Sequence, residues 1–206
     1  MVDFKTEQEA FWAGRFGDQY IGRNPSAKEM GARLALFARI MARTVGVDSV
    51  IELGANIGNN LRVLHQMFPR LDLAAVEIND KAAAVLEDWG KAEVHRRSVL
   101  DFAPSRQYDL SFVSGVLIHI NPDMLPQVYA LLHQASRRYI CVIEYYNPSP
   151  VEVPYRGYSG KLFKRDFAGE MLERFPDLGL VDYGFVYHRD PNFPLDDLTW
   201  FLMEKR

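Results

Sequence analysis

The sequence has few of the residues that build disulfide-rich proteins and metal centres. Its one cysteine, Cys141, lies within the apolar run 139–143. A single cysteine excludes an intrachain disulfide and a cysteine-rich metal site, and a small buried hydrophobe is its expected role. The five histidines are scattered singly, and no two have the spacing of metal ligands. We therefore expect no metal cofactor.

An excess of positive charge and long apolar runs are also lacking. The formal net charge is -3, whereas proteins that bind nucleic acids normally present a basic face. The longest apolar stretches are interrupted by Arg39, Arg43 or Glu144, and are therefore too short for a membrane span. Residues 1–10 are polar and acidic, without a secretion signal. We expect a cytoplasmic protein that has neither nucleic acid nor membrane as a partner; the oligomeric state is left open.

The order of the apolar segments predicts an α/β fold. The 206 residues are enough for one domain with a substantial core. Segments with helical spacing alternate with short apolar runs, which indicates a doubly wound, mostly parallel sheet. The last two runs predict a closing strand pair, so that the sheet has seven strands and an antiparallel C-terminal strand. The predicted strands are 49–54, 72–78, 93–99, 108–115, 138–146, 179–188 and 197–205.

Aromatic residues are concentrated before the first predicted strand. The segment 6–24 contains Phe11, Trp12, Phe16 and Tyr20, and a helix that opens at residues 25–26 should follow it. We expect residues 1–206 to form a single domain. Within it, residues 1–44 would be an N-terminal helical cover and residues 45–206 the core.

The most informative segment joins the first strand to the next helix. It reads Glu52-x-Gly54-x-x-x-Gly58, and the following strand ends in the acid Glu77. Glycines let the backbone approach a ligand, and a terminal acid accepts hydrogen bonds from ribose hydroxyls. This order of strand, glycine turn, helix, strand and acid predicts a nucleoside-binding site.

The same turn departs from the fingerprint of dinucleotide-binding proteins. That fingerprint, read from Gly54, requires glycine at two positions that hold Asn56 and Asn59 here. Asparagine can adopt the left-handed conformation, so a tight turn at Asn56 stays feasible. The form that remains is typical of class I methyltransferases that use S-adenosylmethionine, whose ligand carries no phosphate.

With these motifs in order, the chain resembles the class I S-adenosylmethionine-dependent methyltransferases over residues 45–206. It also resembles, more narrowly, the methylases associated with pseudaminic acid biosynthesis. The segments that carry this second resemblance are 11–24, 115–122, 144–148, 155–157 and 162–167. The resemblance implies a Rossmann-like fold and transfer of a methyl group to oxygen or nitrogen of a small polar metabolite. A sugar or nucleotide-activated sugar of glycan biosynthesis is the acceptor that it implies, with S-adenosylhomocysteine as the product.

The resemblance also implies a set of cofactor contacts. The turn would enclose the methionine part, Glu77 would hold the ribose, and Ile78 would pack on the adenine. The alternative for the turn is a tight strand-to-helix connection without a ligand, and for Glu77 a solvated acid. The cofactor residues that we expect are Glu52, Gly54, Asn56, Gly58, Asn59, Glu77, Ile78, Ser98, Val99, Ser114 and Gly115.

His119 is the leading candidate for a general base. It follows the fourth strand, and the ordinary pKa of histidine suits proton transfer near neutrality. A structural histidine in the turn before Pro122 is the alternative. The catalytic candidates are His119, Tyr146 and Tyr20, and the substrate contacts that we expect are Tyr20, Arg23, Asn24, His119, Tyr145, Asn147 and Arg156.

Two further expectations concern the acceptor site. Tyr145, Tyr146 and Asn147 end the fifth strand at the edge of the sheet where ligands lie. Arg156, with Lys161 nearby, is able to hold a carboxylate or phosphate, although a plain loop arginine is the alternative. The rival functions are a non-catalytic partner that binds S-adenosylmethionine and, less favoured by the turn, an NAD-dependent oxidoreductase.

Overall fold

The computed structural model describes residues 4–22 and 27–206, and the side chains from residue 28 in the second range. The helices in these ranges are α1 Glu7–Ala13, α2 Arg15–Ile21, α3 Ala27–Met41, α4 Asn59–Met67, α5 Asp80–Trp89, α6 Leu125–Ala135 and α7 Phe167–Arg174. The strands are β1 Ser49–Leu53, β2 Asp72–Glu77, β3 Glu93–Arg96, β4 Tyr108–Ser114, β5 Ser136–Glu144, β6 Val151–Glu152, β7 Phe163–Lys164, β8 Leu178–Val186 and β9 Leu198–Lys205.

The main sheet has seven strands in the order β3-β2-β1-β4-β5-β9-β8. The first five pair in parallel, and β9 lies antiparallel between β5 and β8. This topology confirms the predicted mostly parallel sheet with an antiparallel C-terminal strand. The strand order reverses between β1 and β4, and ligands of open α/β sheets bind in the crevice at such a reversal.

The central strands are almost continuously apolar because helices cover both faces of the sheet. In β1, Val50 and Ile51 are both fully buried, and they belong to different core clusters. Val50 packs with α3 and α4, whereas Ile51 packs with α6 and α7. The core is therefore two layers of side chains with the sheet between them.

The helices next to the crevice begin at defined residues. Asn79 caps α5, since its side chain accepts hydrogen bonds from the N–H groups of Lys81 and Ala82. Gly58 precedes α4 with a φ of 79°, and a Cβ at this position would lie 2.2 Å from Leu86 Cδ2. Glycine at position 58 therefore lets α4 pack closely against α5.

The described part of the N-terminal segment forms two short helices, α1 and α2. α1 begins with a capping box formed by Thr6 and Glu9, and α1 and α2 meet at Gly14. The two helices are attached to the segment between β6 and β7, because Gln8 Nε2 donates to the carbonyl of Gly160 at 2.9 Å. The predicted opening of α3 at residues 25–26 lies outside the described residues.

The predicted strands omit a small hairpin in which β6 pairs with β7. A 3₁₀ turn, Pro122–Met124, precedes α6. Pro126 lies in the first turn of α6. Proline is tolerated there because the first N–H groups of a helix have no partner within the helix.

Candidate functional site

A cavity of about 480 Å³ lies at the carboxyl ends of β1, β2 and β4, beneath α1 and α2. It thus occupies the crevice where the strand order reverses. Fourteen of the residues expected from the sequence line it. These are Tyr20, Glu52, Gly54, Asn56, Asn59, Glu77, Ile78, Ser98, Val99, Ser114, Gly115, His119, Tyr145 and Arg156.

The turn after β1 forms one wall of the cavity. Gly54 has a φ of 77° and Asn56 a φ of 50°, which confirms that asparagine takes the left-handed conformation here. The N–H groups of Gly54 and Ala55 both donate to the carbonyl of Val76 in β2. A Cβ on Gly54 would lie 2.6 Å from Val116 Cγ2. The turn is therefore closely packed between β2 and the segment that follows β4.

Glu77 is held in place by backbone amides of the segments that follow β1 and β2. Its Oε2 accepts from Asn56 N–H at 2.6 Å, and its Oε1 accepts from Asn79 N–H at 2.8 Å. Burial raises the pKa of this carboxyl group above its ordinary value. Because each carboxylate oxygen has a second lone pair, Glu77 can still accept hydrogen bonds from a ligand in the cavity.

A chain of polar side chains lies beside the end of β1. Asn60 Nδ2 donates to Glu52 Oε1 at 2.6 Å, and Arg33 Nη1 donates to Asn60 Oδ1 at 2.7 Å. Burial raises the pKa of Glu52 to about 8. Within the described part of the chain, Glu52 Oε2 and Arg33 Nε are buried without a hydrogen-bond partner. An acidic and a basic side chain thus have unused hydrogen-bonding capacity at the cavity.

Arg33 and Asn60 are site residues that the sequence prediction missed. Arg33 shares the apolar stripe of α3 with Met30 and Phe37, at spacings of three and four residues. An arginine on the stripe that faces the core is the signal that sequence reasoning could have used. Asn60 has no comparable signal, since polar residues are common in the first turn of a helix.

Apolar and small residues line the part of the cavity after β3. Ile78 and Val99 both face it, and Ser98 is buried beside them. Ser98 Oγ accepts a hydrogen bond from Leu100 N–H at 3.0 Å, which leaves its O–H free to donate. This combination can hold a flat, partly polar ring.

The segment after β4 is fixed by a buried acid of β5. Glu144 Oε1 accepts from the N–H groups of Val116 and Leu117, at 2.8 and 2.9 Å. Burial raises the pKa of Glu144 to about 7. Gly115, with a φ of 67°, lines the cavity, and a Cβ built on it would meet no atom within 4 Å. The backbone there is open towards the cavity.

His119 is almost fully buried at the end of this segment. Its Nδ1 lies 2.5 Å from the carbonyl oxygen of Lys161, and a carbonyl can only accept. Nδ1 therefore carries the proton, and Nε2 is an acceptor. Burial lowers the pKa of His119 to about 4, so the ring is neutral near pH 7. The rings of Trp12 and Tyr155 lie against it, with centroids 4.6 and 4.9 Å away.

Aromatic residues from separate segments surround this end of the cavity. Trp12 comes from α1, Tyr20 from α2, Tyr145 from the end of β5, and Tyr155 from the segment before β7. Trp12 and Tyr20 are in edge contact, with centroids 5.4 Å apart. These side chains can exclude water from a ligand next to His119.

Several expected site residues are not brought to the cavity. Tyr146 points away from it, because successive side chains alternate at the end of β5, and its ring packs 6.0 Å from that of Phe201. Asn147 does not line the cavity either, and its Nδ2 donates to the carbonyl of Ser149. Gly58 lies behind the turn, as described above, and Lys161 pairs with Glu7. Arg23 and Asn24 lie outside the described residues.

Two further properties follow from the described ranges 4–22 and 27–206. Within them, no helix is long and apolar enough to cross a membrane. The same ranges contain no group of three or more histidine, cysteine, aspartate or glutamate side chains placed to hold a metal ion.

Comparison with known proteins shows similarity in fold. No family model matches the chain, and no curated protein sequence matches it. Among solved structures, the Burkholderia thailandensis 1,6-didemethyltoxoflavin-N1-methyltransferase, with bound 1,6-didemethyltoxoflavin and S-adenosylhomocysteine, has a TM-score of 0.70 at 16% identity. That match covers 96% of this chain and 86% of the other.

Two more solved structures extend this similarity. Magnesium protoporphyrin IX methyltransferase from Synechocystis PCC 6803, with bound S-adenosylhomocysteine, has a TM-score of 0.69 at 11% identity, over 97% of this chain and all of the other (100%). The glycopeptide N-methyltransferase MtfA has a TM-score of 0.64 at 12% identity, over 86% of this chain and 96% of the other. This chain therefore has the Rossmann-like fold that these methyltransferases share.

Proposed function

We propose that this chain is an S-adenosylmethionine-dependent methyltransferase that acts on oxygen or nitrogen of a small polar metabolite. The observation that carries the proposal is the placement of Glu77. Its carboxylate is fixed by the amides of Asn56 and Asn79 and lines a cavity of about 480 Å³ beside the Gly54 turn. A fixed acceptor at the end of the second strand, next to a glycine turn, is suited to the two hydroxyls of a ribose.

The remaining parts of the cavity suit the rest of this cofactor. Glu52 Oε2 and Arg33 Nε, both buried and unpartnered in the described residues, would hold an ammonium and a carboxylate. Ile78 and Val99 would pack on the adenine, and the open backbone at Gly115 leaves room for the chain between. When bound, S-adenosylmethionine supplies a methyl group that is already activated on a sulfonium.

The chain contributes position and a proton acceptor. Trp12, Tyr20 and Tyr145 would hold the acceptor beside His119 and exclude water from it. His119 Nε2 would accept a hydrogen bond from the nucleophilic O–H or N–H group. Because the pKa of His119 is lowered to about 4, it takes up the proton only as methylation makes the nucleophile strongly acidic.

We further propose that the acceptor is a sugar or nucleotide-activated sugar. The segments that resemble the methylases associated with pseudaminic acid biosynthesis support this choice, as does the aromatic wall of Trp12, Tyr20, Tyr145 and Tyr155. Aromatic faces provide apolar contact area for the C–H groups of a sugar ring, while tyrosine hydroxyls supply hydrogen bonds.

The cofactor is tested by thermal unfolding with S-adenosylmethionine, S-adenosylhomocysteine, NAD and NADH. A ligand present at about 100 times its Kd stabilises the folded state by about 2.7 kcal/mol. We expect S-adenosylmethionine and S-adenosylhomocysteine to raise the Tm, and NAD and NADH to leave it unchanged. Glu77→Gln and Glu77→Ala should abolish the shift, because glutamine replaces one of the two acceptor oxygens by an NH₂ donor and alanine removes both.

The matched control is Glu173→Gln, which changes an exposed carboxylate of α7 that does not line the cavity. It should leave the shift intact. Glu77→Gln is the more informative variant, since its one amide oxygen still accepts from one of the N–H groups of Asn56 and Asn79, whereas alanine leaves both without an acceptor. A shift with NAD alone would refute the proposal and favour an oxidoreductase.

Catalysis is tested separately from binding. S-adenosylhomocysteine formation should be measured with sugar nucleotides as acceptors, for the wild type and for His119→Gln and Tyr20→Phe. Turnover that falls in these variants, with cofactor binding retained, supports an enzyme. Cofactor binding without turnover on any acceptor would instead favour a non-catalytic binding partner.

A further inference from the structure

Arg156 occupies a backbone position that disfavours arginine. Tyr155 and Tyr158 exchange two backbone hydrogen bonds, of 2.8 and 2.9 Å, around a two-residue turn. The turn residues Arg156 and Gly157 have φ values of 53° and 87°. Turns with two positive φ values favour Asn-Gly, Asp-Gly or Gly-Gly. The conformation of the turn therefore does not explain why arginine stands at its first position.

The guanidinium of Arg156 takes part in no ion pair within the described residues. It lies 5.4 Å from the ring centroid of Tyr155, and no carboxylate in the described residues is within ion-pair distance of it. The neighbouring cations differ in this respect, since Lys161 pairs with Glu7 and Arg165 with Glu170. Arg156 is thus an uncompensated cation, exposed at the edge of the cavity that it lines.

The two arginines that line the cavity lie in different surroundings. Arg33 belongs to the group of Asn60 and Glu52 at the end of β1. Arg156 follows Tyr155, whose ring contacts that of His119. S-adenosylmethionine has one anionic group, its carboxylate, and Arg33 is the arginine placed for it in the proposed function. The charge of Arg156 is then left for the second ligand.

We propose that Arg156 binds an anionic group of the acceptor, a carboxylate or a phosphate, at the mouth of the cavity. This inference rests on the proposed function, in which the acceptor lies beside His119. The planar guanidinium offers paired N–H donors that match two oxygens of either anion, and it lies over the Tyr155 ring beside the cavity. The acceptor class is therefore a small metabolite that carries a negative charge.

The test uses the whole chain saturated with S-adenosylhomocysteine. Inorganic phosphate and acetate are titrated in separate experiments at constant ionic strength, and the Nε–Hε signals of arginine side chains are followed by ¹⁵N NMR. We expect one arginine signal to move with saturation, and this signal should be missing in Arg156→Asn. Tighter binding of phosphate would indicate an acceptor phosphate, and tighter binding of acetate an acceptor carboxylate.

Three variants make the result specific. Arg156→Asn should lower the anion affinity at least tenfold, and it suits the left-handed turn, so a folding defect is not expected. Arg156→Lys should retain part of the phosphate affinity but less of the acetate affinity, because lysine lacks the paired donors. Arg189→Asn removes the same charge from an exposed position outside the cavity and should change neither affinity more than twofold.

The outcomes separate this inference from the proposed function. Equal anion affinity in the wild type and Arg156→Asn, or an equal loss in Arg189→Asn, overturns the inference. If S-adenosylhomocysteine binds and no anion binding depends on Arg156, the inference alone fails. If S-adenosylhomocysteine does not bind, the titrations are made on the protein alone. Anion binding that then depends on Arg156 supports the anion site while the proposed function fails.

Discussion

Replacing Gly46, Gly54 and Gly115 by alanine, one at a time, should separate three different consequences of an added methyl group. All three glycines have similar positive φ values, 66°, 77° and 67°. An alanine at any of them meets the left-handed strain, which amounts to about 1 kcal/mol after the lower entropy of the unfolded alanine chain is included. The surroundings of the three positions differ.

Gly46 is exposed outside the cavity, and a Cβ built on it meets no atom within 4 Å. Gly46→Ala should therefore lower the free energy of unfolding by the strain alone, about 1 kcal/mol. At Gly54 the new Cβ would lie 2.6 Å from Val116 Cγ2, which adds an overpacking cost of about 1–3 kcal/mol. We expect Gly54→Ala to cost about 2–4 kcal/mol in total.

Gly115 provides the third case. A Cβ there meets no protein atom within 4 Å but lies on the cavity wall, so its stability cost should equal that of Gly46→Ala. Because the added methyl group occupies ligand space, Gly115→Ala should weaken S-adenosylhomocysteine binding, whereas Gly46→Ala should not. Urea unfolding measures the first effect, and isothermal titration calorimetry measures the second.

Two results would refute this reasoning. If Gly54→Ala costs no more than Gly46→Ala, the close packing between the turn and Val116 does not exist as described. If Gly115→Ala binds S-adenosylhomocysteine as tightly as the wild type, the open backbone at this position does not face the cofactor.

Two further predictions concern pH. The pKa of Glu144 is raised from 4.5 to about 7, so the folded state binds more protons than the unfolded state in this window. The wild type should therefore lose stability relative to Glu144→Gln as the pH rises from about 4.5 to about 7, and a constant difference in urea unfolding would contradict this. The pKa of His119 is lowered from 6.5 to about 4, so the wild type should gain stability relative to His119→Asn as the pH rises through that window. At pH 6, ¹⁵N NMR should show a neutral His119 ring with its proton on Nδ1; an imidazolium at this pH would contradict the burial argument.

The fold was largely predictable because its signals are local. Five short apolar runs in the order of a parallel sheet were recognised within a few residues of β1 to β5, and the closing pair was recognised as β8 and β9. The two-strand hairpin of β6 and β7 was missed, since its strands have two residues each and no periodicity can show in such a length.

At the end of β5, the local sequence does not predict which side chains face the cavity. Tyr145, Tyr146 and Asn147 were all expected to face the ligand because they lie at the same edge of the sheet. Side chains of an extended chain alternate, so Tyr145 can line the cavity only if Tyr146 does not. Which of the two faces inward depends on the register of β5 with β4 and β9.

The sequence by itself determined the order of strands and helices, the left-handed turn at Gly54 and Asn56, and the acid that ends β2. Each of these depends on residues close together in the chain. Only the tertiary structure decided that Arg33 reaches Glu52 through Asn60, that Trp12 lies against His119, and that the carbonyl of Lys161 sets the tautomer of that ring. These contacts join residues far apart in the chain, and they form because helices and loops pack over the edge of one sheet, which no local pattern encodes.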